Sequence, residues 1–545
     1  MEINTTHTPH TSGILSVIAF AAAAAIAPQA EAQSQDIYFN DISDNNSTYI
    51  NNPANWFTNP EKTDHFEGSL DGSQEAYISA SGTLTTKIAA NSTPIFGNLN
   101  YSLTEFNAGG DFITFGNDTF LQTSGNLVTN FTLSKESTTS YGQQLTQKIT
   151  MWSNAQMRVG GDWLINVDRN GSLDYLSLRI TDGVGSPGRA SIQIDGNVIS
   201  RGTLIFSTDN VNFTVKGAVD ISGGQWNMLA NNTQSEVFTR TVGGIGDADG
   251  SGEGASVRFN IAKENWVSAS ARTVNLVLTN SSSYEVSGSF AMYENSQDKL
   301  NITMSAADAR NGRQALRFGS IGDPYWCNGM QLADANINNV EISSGRLDLG
   351  MHDGMKGANL SLYGYRGNAA DAVFSAAGTV YGMDIGRVQF DSMTFYEGTI
   401  VFDLGETDCD FIQINGGVTK DAPDSQIVFD INISKDDLQI YLETLGAETM
   451  EWNLMSFKTD DSDFGLADII LKTQAGIDGE LSFLADDSSG LTTVQLSLGV
   501  VPEPALAAAI LGALALSLAA FRRRKIGRRF SIRKKNARGF RLRAL

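Results

Sequence analysis

The chain has 545 residues and a formal net charge of −22, from 38 Lys and Arg against 60 Asp and Glu. Residues 522–545 hold 12 of those bases and no acid, which leaves −34 on everything before them. So acidic a body disfavours nucleic acid and anionic membrane surfaces as partners, and it favours solubility and cation binding.

In chain order, the first element is Gly13–Ala27, fifteen almost wholly apolar residues. That length is short for a membrane span but suits the apolar core of a signal peptide. Ala30-Glu31-Ala32 supplies the small-x-small pattern that signal peptidase needs, so residues 1–32 are expected to be removed on export. The segment before the apolar run carries His7 and His10 but no Lys or Arg.

Residues 33–395 read as a β body, and 396–500 as a distal β region. Fifty-four glycines, ten prolines and abundant Asn, Ser and Thr fit turn-rich β structure. Over Ala190–Gly217, apolar residues fall at alternate positions: Ile192 and Ile194, Leu204 and Phe206, then Val211, Phe213 and Val215. That is the period of a half-buried strand, with Gly, Asn and Asp in the gaps. A pattern of apolar-x-Gly-x-apolar recurs as Val159–Trp163, Ile194–Val198, Val215–Val219, Val286–Phe290 and Ile414–Val418. Glycine at a fixed place between two strands suggests a tight corner. The expected fold is therefore all-β, an elongated parallel β-helix (β-solenoid) followed by one short C-terminal transmembrane-type helix. A β-sandwich array is the alternative.

Chemistry-bearing residues are sparse. His65 and His352 are the only histidines of the body, too few for a multi-histidine metal site and a poor basis for a Ser-His-Asp triad. Gly246–Gly254 places Asp247, Asp249, Ser251 and Glu253 at alternate positions, like the first ligands of a calcium loop. The twelfth position is Arg258 rather than a carboxylate, so the alternatives are a calcium site and an acidic surface loop. Asp460, Asp461 and Asp463, and Asp408 with Asp410, form weaker clusters. Cys327 and Cys409 are the only cysteines; in an oxidising compartment they could pair, and otherwise they are two small buried residues. No catalytic residue is nominated and no cofactor other than calcium is expected.

The C-terminus has three parts: Val501-Pro502-Glu503-Pro504, the uncharged run Ala505–Phe521, and Arg522-Arg523-Arg524-Lys525. A 17-residue helix would be about 25 Å long, the lower limit for a span, and the basic cluster would stay cytoplasmic. Together, residues 501–525 resemble the PEP-CTERM sorting tail of Gram-negative bacteria. The resemblance implies recognition by an exosortase-type membrane protease, transient residence in the inner membrane, and release to the cell surface or beyond. A basic extension, 526–545, follows where that family usually stops; an unprocessed chain would stay anchored in the inner membrane. The stretches Glu397–Gly405, Asp410–Gly417 and Ile427–Ile433, with the opening Asn52–Trp56, resemble autotransporter-type passenger repeats, which implies the β-solenoid fold. The expected function is an exported structural or adhesive surface protein, possible partners being exopolysaccharide or surface glycans. The alternative is a polysaccharide lyase, glycosidase or glycan-binding module on the same scaffold.

Overall fold

The computed structural model describes residues 35–39, 48–81, 85–106, 109–134, 144–170, 172, 175–183, 189–202, 204–209, 211–221, 224–228, 237–247, 256–258, 272–286, 299–317, 337–350, 358–364, 371–376, 385–501 and 512–523. The protein is mostly β: these residues form sheets of 24, eight and five strands. The α-helix Lys435–Leu445 is capped by the Ser434 hydroxyl and closed by Gly446 in the left-handed conformation.

Nearly all strand pairing is parallel and runs between segments far apart in sequence. In the largest sheet Leu99 pairs with Leu127, Leu127 with Trp163, and Trp163 with Val198. Along a neighbouring row Thr123 pairs with Val159, Val159 with Ile194, and Ile194 with Val215. The second sheet stacks Gly110–Phe115, Gln144–Met151, Tyr175–Asp182 and Leu204–Thr208 in the same sense. Some strands bend through a corner and serve two rows. Asn212–Ile221 pairs with Ser191–Ile194 through its first half and with Val198–Arg201 through its second.

Antiparallel strand ladders among the described residues occur only at the extremes. Gln35–Phe39 pairs with Trp56–Phe57. At the other end Leu491–Val500 runs against both Met450–Lys458 and Ile477–Asp486.

The alternation read in the sequence has a simple cause. Ile192, Ile194, Leu204, Phe206, Val211, Phe213 and Val215 are all buried, because strand residues point alternately to the two faces of a sheet and only one face is covered. The buried faces form one continuous core. Trp163 packs edge-on against Phe206, and Phe206 leads through Phe213 to Trp226, with centroids 5.7–5.8 Å apart. Trp56 is wholly buried, packs on Phe39 and Phe96, and donates its indole N–H to the Ile50 carbonyl at 2.8 Å.

Residues 512–523 form a separate helix on which Leu514, Leu516, Leu518 and Phe521 are all more than half exposed. Among the described residues no helix is long and apolar enough to cross a membrane.

Candidate functional site

Most of the sequence-nominated site residues lie outside the described residues. That holds for Asp249, Ser251 and Glu253, for Cys327 and His352, and for Pro502, Glu503, Pro504, Arg524 and Lys525. Asp247 is half-buried and follows Gly246, which takes a positive φ. Val501 donates its N–H to the Gly476 carbonyl and so closes the last sheet, and Arg522 and Arg523 are helical. His65 is exposed and lies against the Phe57 ring. Among the described residues no three His, Cys, Asp or Glu side chains come together as a metal site would require.

Two of the weaker acidic clusters have local structural work. Asp410 is buried and accepts from the N–H groups of Gly386 (2.7 Å) and Asp403 (3.0 Å). Asp463 accepts from the Lys420 N–H at 2.8 Å. Next to Asp410, Cys409 is a free, buried thiol that donates to the Asn453 carbonyl at 3.1 Å. Burial pushes it up to about 12, and the neighbouring Asp410 charge adds to the effect. The thiolate is the reactive species. Peptide mapping after alkylation at about pH 8 should therefore find Cys409 unmodified in the folded protein and labelled once it is unfolded and reduced. Labelling at the native stage would contradict this burial.

The repeat glycines mark the most ordered polar feature. Three of the sequence repeats stack directly: Val159, Ile194 and Val215 share one row, and Trp163, Val198 and Val219 share the next. The residue just before the second apolar position is Asn or Asp in most rungs, and its side chain binds the rung above. Asn98 Oδ1 accepts from the Asn126 N–H (2.6 Å), Asn126 Oδ1 from the Asp162 N–H (2.8 Å), Asp162 Oδ1 from the Asn197 N–H (2.7 Å), and Asn197 Oδ1 from the Ala218 N–H (2.8 Å). A Cβ on Gly125, Gly161, Gly196 or Gly217 would collide with the carbonyl or carboxylate oxygen of the residue reaching up from below. Glycine is thus needed for close approach. The sequence pattern exposed the glycines, whereas the Asn/Asp after them, present in Gly125-Asn126, Gly161-Asp162 and Gly196-Asn197, carries the bond.

Charged residues are gathered in two ways. On the surface, Asp195 accepts from Arg158 (2.8 Å), Lys216 (2.6 Å) and Gln193 (2.8 Å), which ties three rungs together. Burial works against ionisation there, but these donors hold the carboxyl well below the usual carboxylate range. In the interior, Asp209 and Arg240 are both fully buried. Asp209 pairs with Arg179, and Arg240 donates to the carbonyls of Val211, Thr208 and Met228. Asp209 Oδ1 and Arg240 Nε have no hydrogen-bond partner among the described residues.

One outward face combines a cleft with regular polar rows. Ser79, Ser102, Asn130, Asn166 and Arg201 occupy successive rungs of one row. Asn130 Nδ2 donates to Ser102 Oγ (3.1 Å) and Asn166 Nδ2 to Asn130 Oδ1 (2.9 Å). The adjacent row begins with Tyr38 and Tyr77, stacked at 5.2 Å and 14°, and continues through Asn100, Val128, Leu164 and Ile199. A cleft of about 300 Å³ opens at Asn130, Thr132, Asn166, Asp168, Arg201 and Gly202. Arg201 is paired with the buried Asp220 at 3.4 Å.

Compared with known proteins, the chain matches no family model and no curated protein.

Proposed function

We propose that the chain is an exported β-solenoid of the bacterial surface, structural or adhesive in role, whose sorting is directed by its C-terminal tail. The observation that carries the reading is the stacking of like corners. Segments of 35 residues (Val159 to Ile194) and 21 residues (Ile194 to Val215) close to the same register despite their different lengths. In a solenoid each such segment is one turn, the fixed corner sets the stacking, and loops absorb the surplus. The charged groups fit a scaffold, since Asp195 joins rungs and the buried Asp209 pairs with Arg179. The exposed leucines and phenylalanine of helix 512–523 fit a segment that meets lipid rather than the body.

The sorting half of the proposal is tested by intact-mass measurement on protein extracted from the cell surface. The expected mass begins at residue 33 and ends near residue 504. Full-length chain held in the inner membrane would overturn exosortase-type processing and make the tail a permanent anchor.

A further inference from the structure

We infer that the outward face bearing Asn130, Asn166 and Arg201 binds a linear, neutral polysaccharide laid along the stacking direction. The inference goes beyond the structural role proposed above and does not depend on how the tail is processed.

The argument starts from spacing. Neighbouring strands lie about 4.8 Å apart, so in-register side chains form a row with that repeat, close to the rise of one hexose in an extended chain. From Tyr38 to Ile199 the face covers six rungs, a strip of about 24 Å. A polymer with a matching repeat can offer equivalent hydroxyls to successive rungs.

The chemistry of the strip selects the ligand. Asn130 and Asn166 are amides, each able to donate and accept, and their mutual bond fixes both planes. Asn166 is exposed, and its Oδ1 lies on the side away from the bond its Nδ2 makes to Asn130. Thr132 and Asp168 add a hydroxyl and a carboxylate to the cleft. The one cation, Arg201, has its charge offset by Asp220, and Asp168 stands beside it in the cleft, so the strip offers no net positive charge to a uronate or phosphate. Polyhydroxyl recognition by paired amides and carboxylates needs none.

The tyrosines close the strip. Tyr38 and Tyr77 stack along the rung direction, with Asn100 on the next rung, so the pair presents ring edges to a chain laid along the strip. An aromatic edge at the end of a polar row gives the C–H groups of a terminal sugar ring an apolar contact. Tyr77 is held in place by burial and by its bond to Glu75, which push its hydroxyl up to about 12.

The test is titration calorimetry on the full chain, purified from whichever cell fraction holds it, in a detergent without a sugar headgroup. The probes are cellohexaose, laminarihexaose and mannohexaose, with hexagalacturonate as the anionic comparison. At least one neutral hexasaccharide should bind. Asn166→Ala should weaken it about tenfold by removing a buried-in-complex amide, and Tyr77→Ala should weaken it by a similar factor while Tyr77→Phe stays within about twofold. Asn166 is exposed, so the circular dichroism and melting midpoint of Asn166→Ala should match the parent, while Tyr77→Ala is compared with Tyr77→Phe under conditions where circular dichroism shows both folded. No binding of any neutral probe, tighter binding of hexagalacturonate, or neutral binding indifferent to Asn166→Ala would each overturn the inference.

Discussion

Replacing Gly161 with valine is expected to lower stability by about 3–5 kcal/mol, and to do so locally. The new side chain would enter the space held by Asn126 Oδ1 and the Gly125 carbonyl carbon. Asn126 would then lose its bond to the Asp162 N–H, which leaves a half-buried donor unsatisfied, while the added methyls overpack the corner. On the solenoid reading, stacked turns contact mainly their neighbours, so the damage should stay near the substituted rung. Hydrogen exchange should show lost protection over Leu127–Leu133, Trp163–Asp168 and Val198–Arg201, with Phe411–Ile414 unchanged. Gly110→Ala is the internal control: a Cβ there meets nothing within 4 Å, so the change should be neutral within about 0.5 kcal/mol. Uniform loss of protection along the chain would mean that the body unfolds as one cooperative unit and would count against the solenoid reading.

Replacing Arg240 with methionine should cost about 3–5 kcal/mol at neutral pH, because it strips three carbonyls of a donor and removes a cation from beside a buried carboxylate. The loss should shrink as the pH falls. Burial raises the Asp209 carboxyl to about 6 against the pull of Arg179, Arg240 and Arg272, whereas an unfolded aspartate titrates near 4. The folded chain therefore holds a proton that the unfolded chain has released between about pH 4 and 6. The resulting stabilisation is full below about pH 4 and is lost as the pH rises through 6, by on the order of 2–3 kcal/mol. Asp209→Asn should remove that part of the stability–pH profile, and the difference between the two profiles isolates it from the other carboxylates. A flat difference between about pH 4 and 7 would show that Asp209 titrates as an ordinary acid.

The strands were legible in the sequence wherever one face is covered, as at Ile192–Ile194 and Phe213–Val215, because burial of alternate side chains is written directly into residue order. The corners were legible through their glycines, and the 21-residue step from Ile194 to Val215 is a true register shift of one rung. Which turn stacks on which was not legible where the spacing changes: the step before it is 35 residues, and local periodicity carries no measure of a loop's length. The Asn98–Asn126–Asp162–Asn197 ladder was also hidden. An Asn beside a Gly reads as an ordinary turn until the rung above supplies the N–H that its side chain binds. Arg240 and Asp209 were missed for the opposite reason. A lone charge in a strand, or just past its end, reads as solvated, and only the fold reveals that both are wholly enclosed. The outward strip of Asn130 and Asn166 likewise exists only through register, since these residues lie 36 positions apart.

The antiparallel strands at the two extremes have a consequence for size. An unguarded parallel edge is a template on which a second chain can continue the ladder. Here an arriving copy would meet Trp56–Phe57 running the wrong way at one end, and the Met450–Lys458, Leu491–Val500, Ile477–Asp486 meander at the other. At these rows a copy cannot repeat the parallel pairing of the body, whereas Ile469–Lys472, paired in parallel on one side with Gln426–Asn432, carries no such antiparallel cover among the described residues. On the solenoid reading proposed above, the number of turns the chain encodes then sets how far the covered rows reach, as in a spacer cut to length.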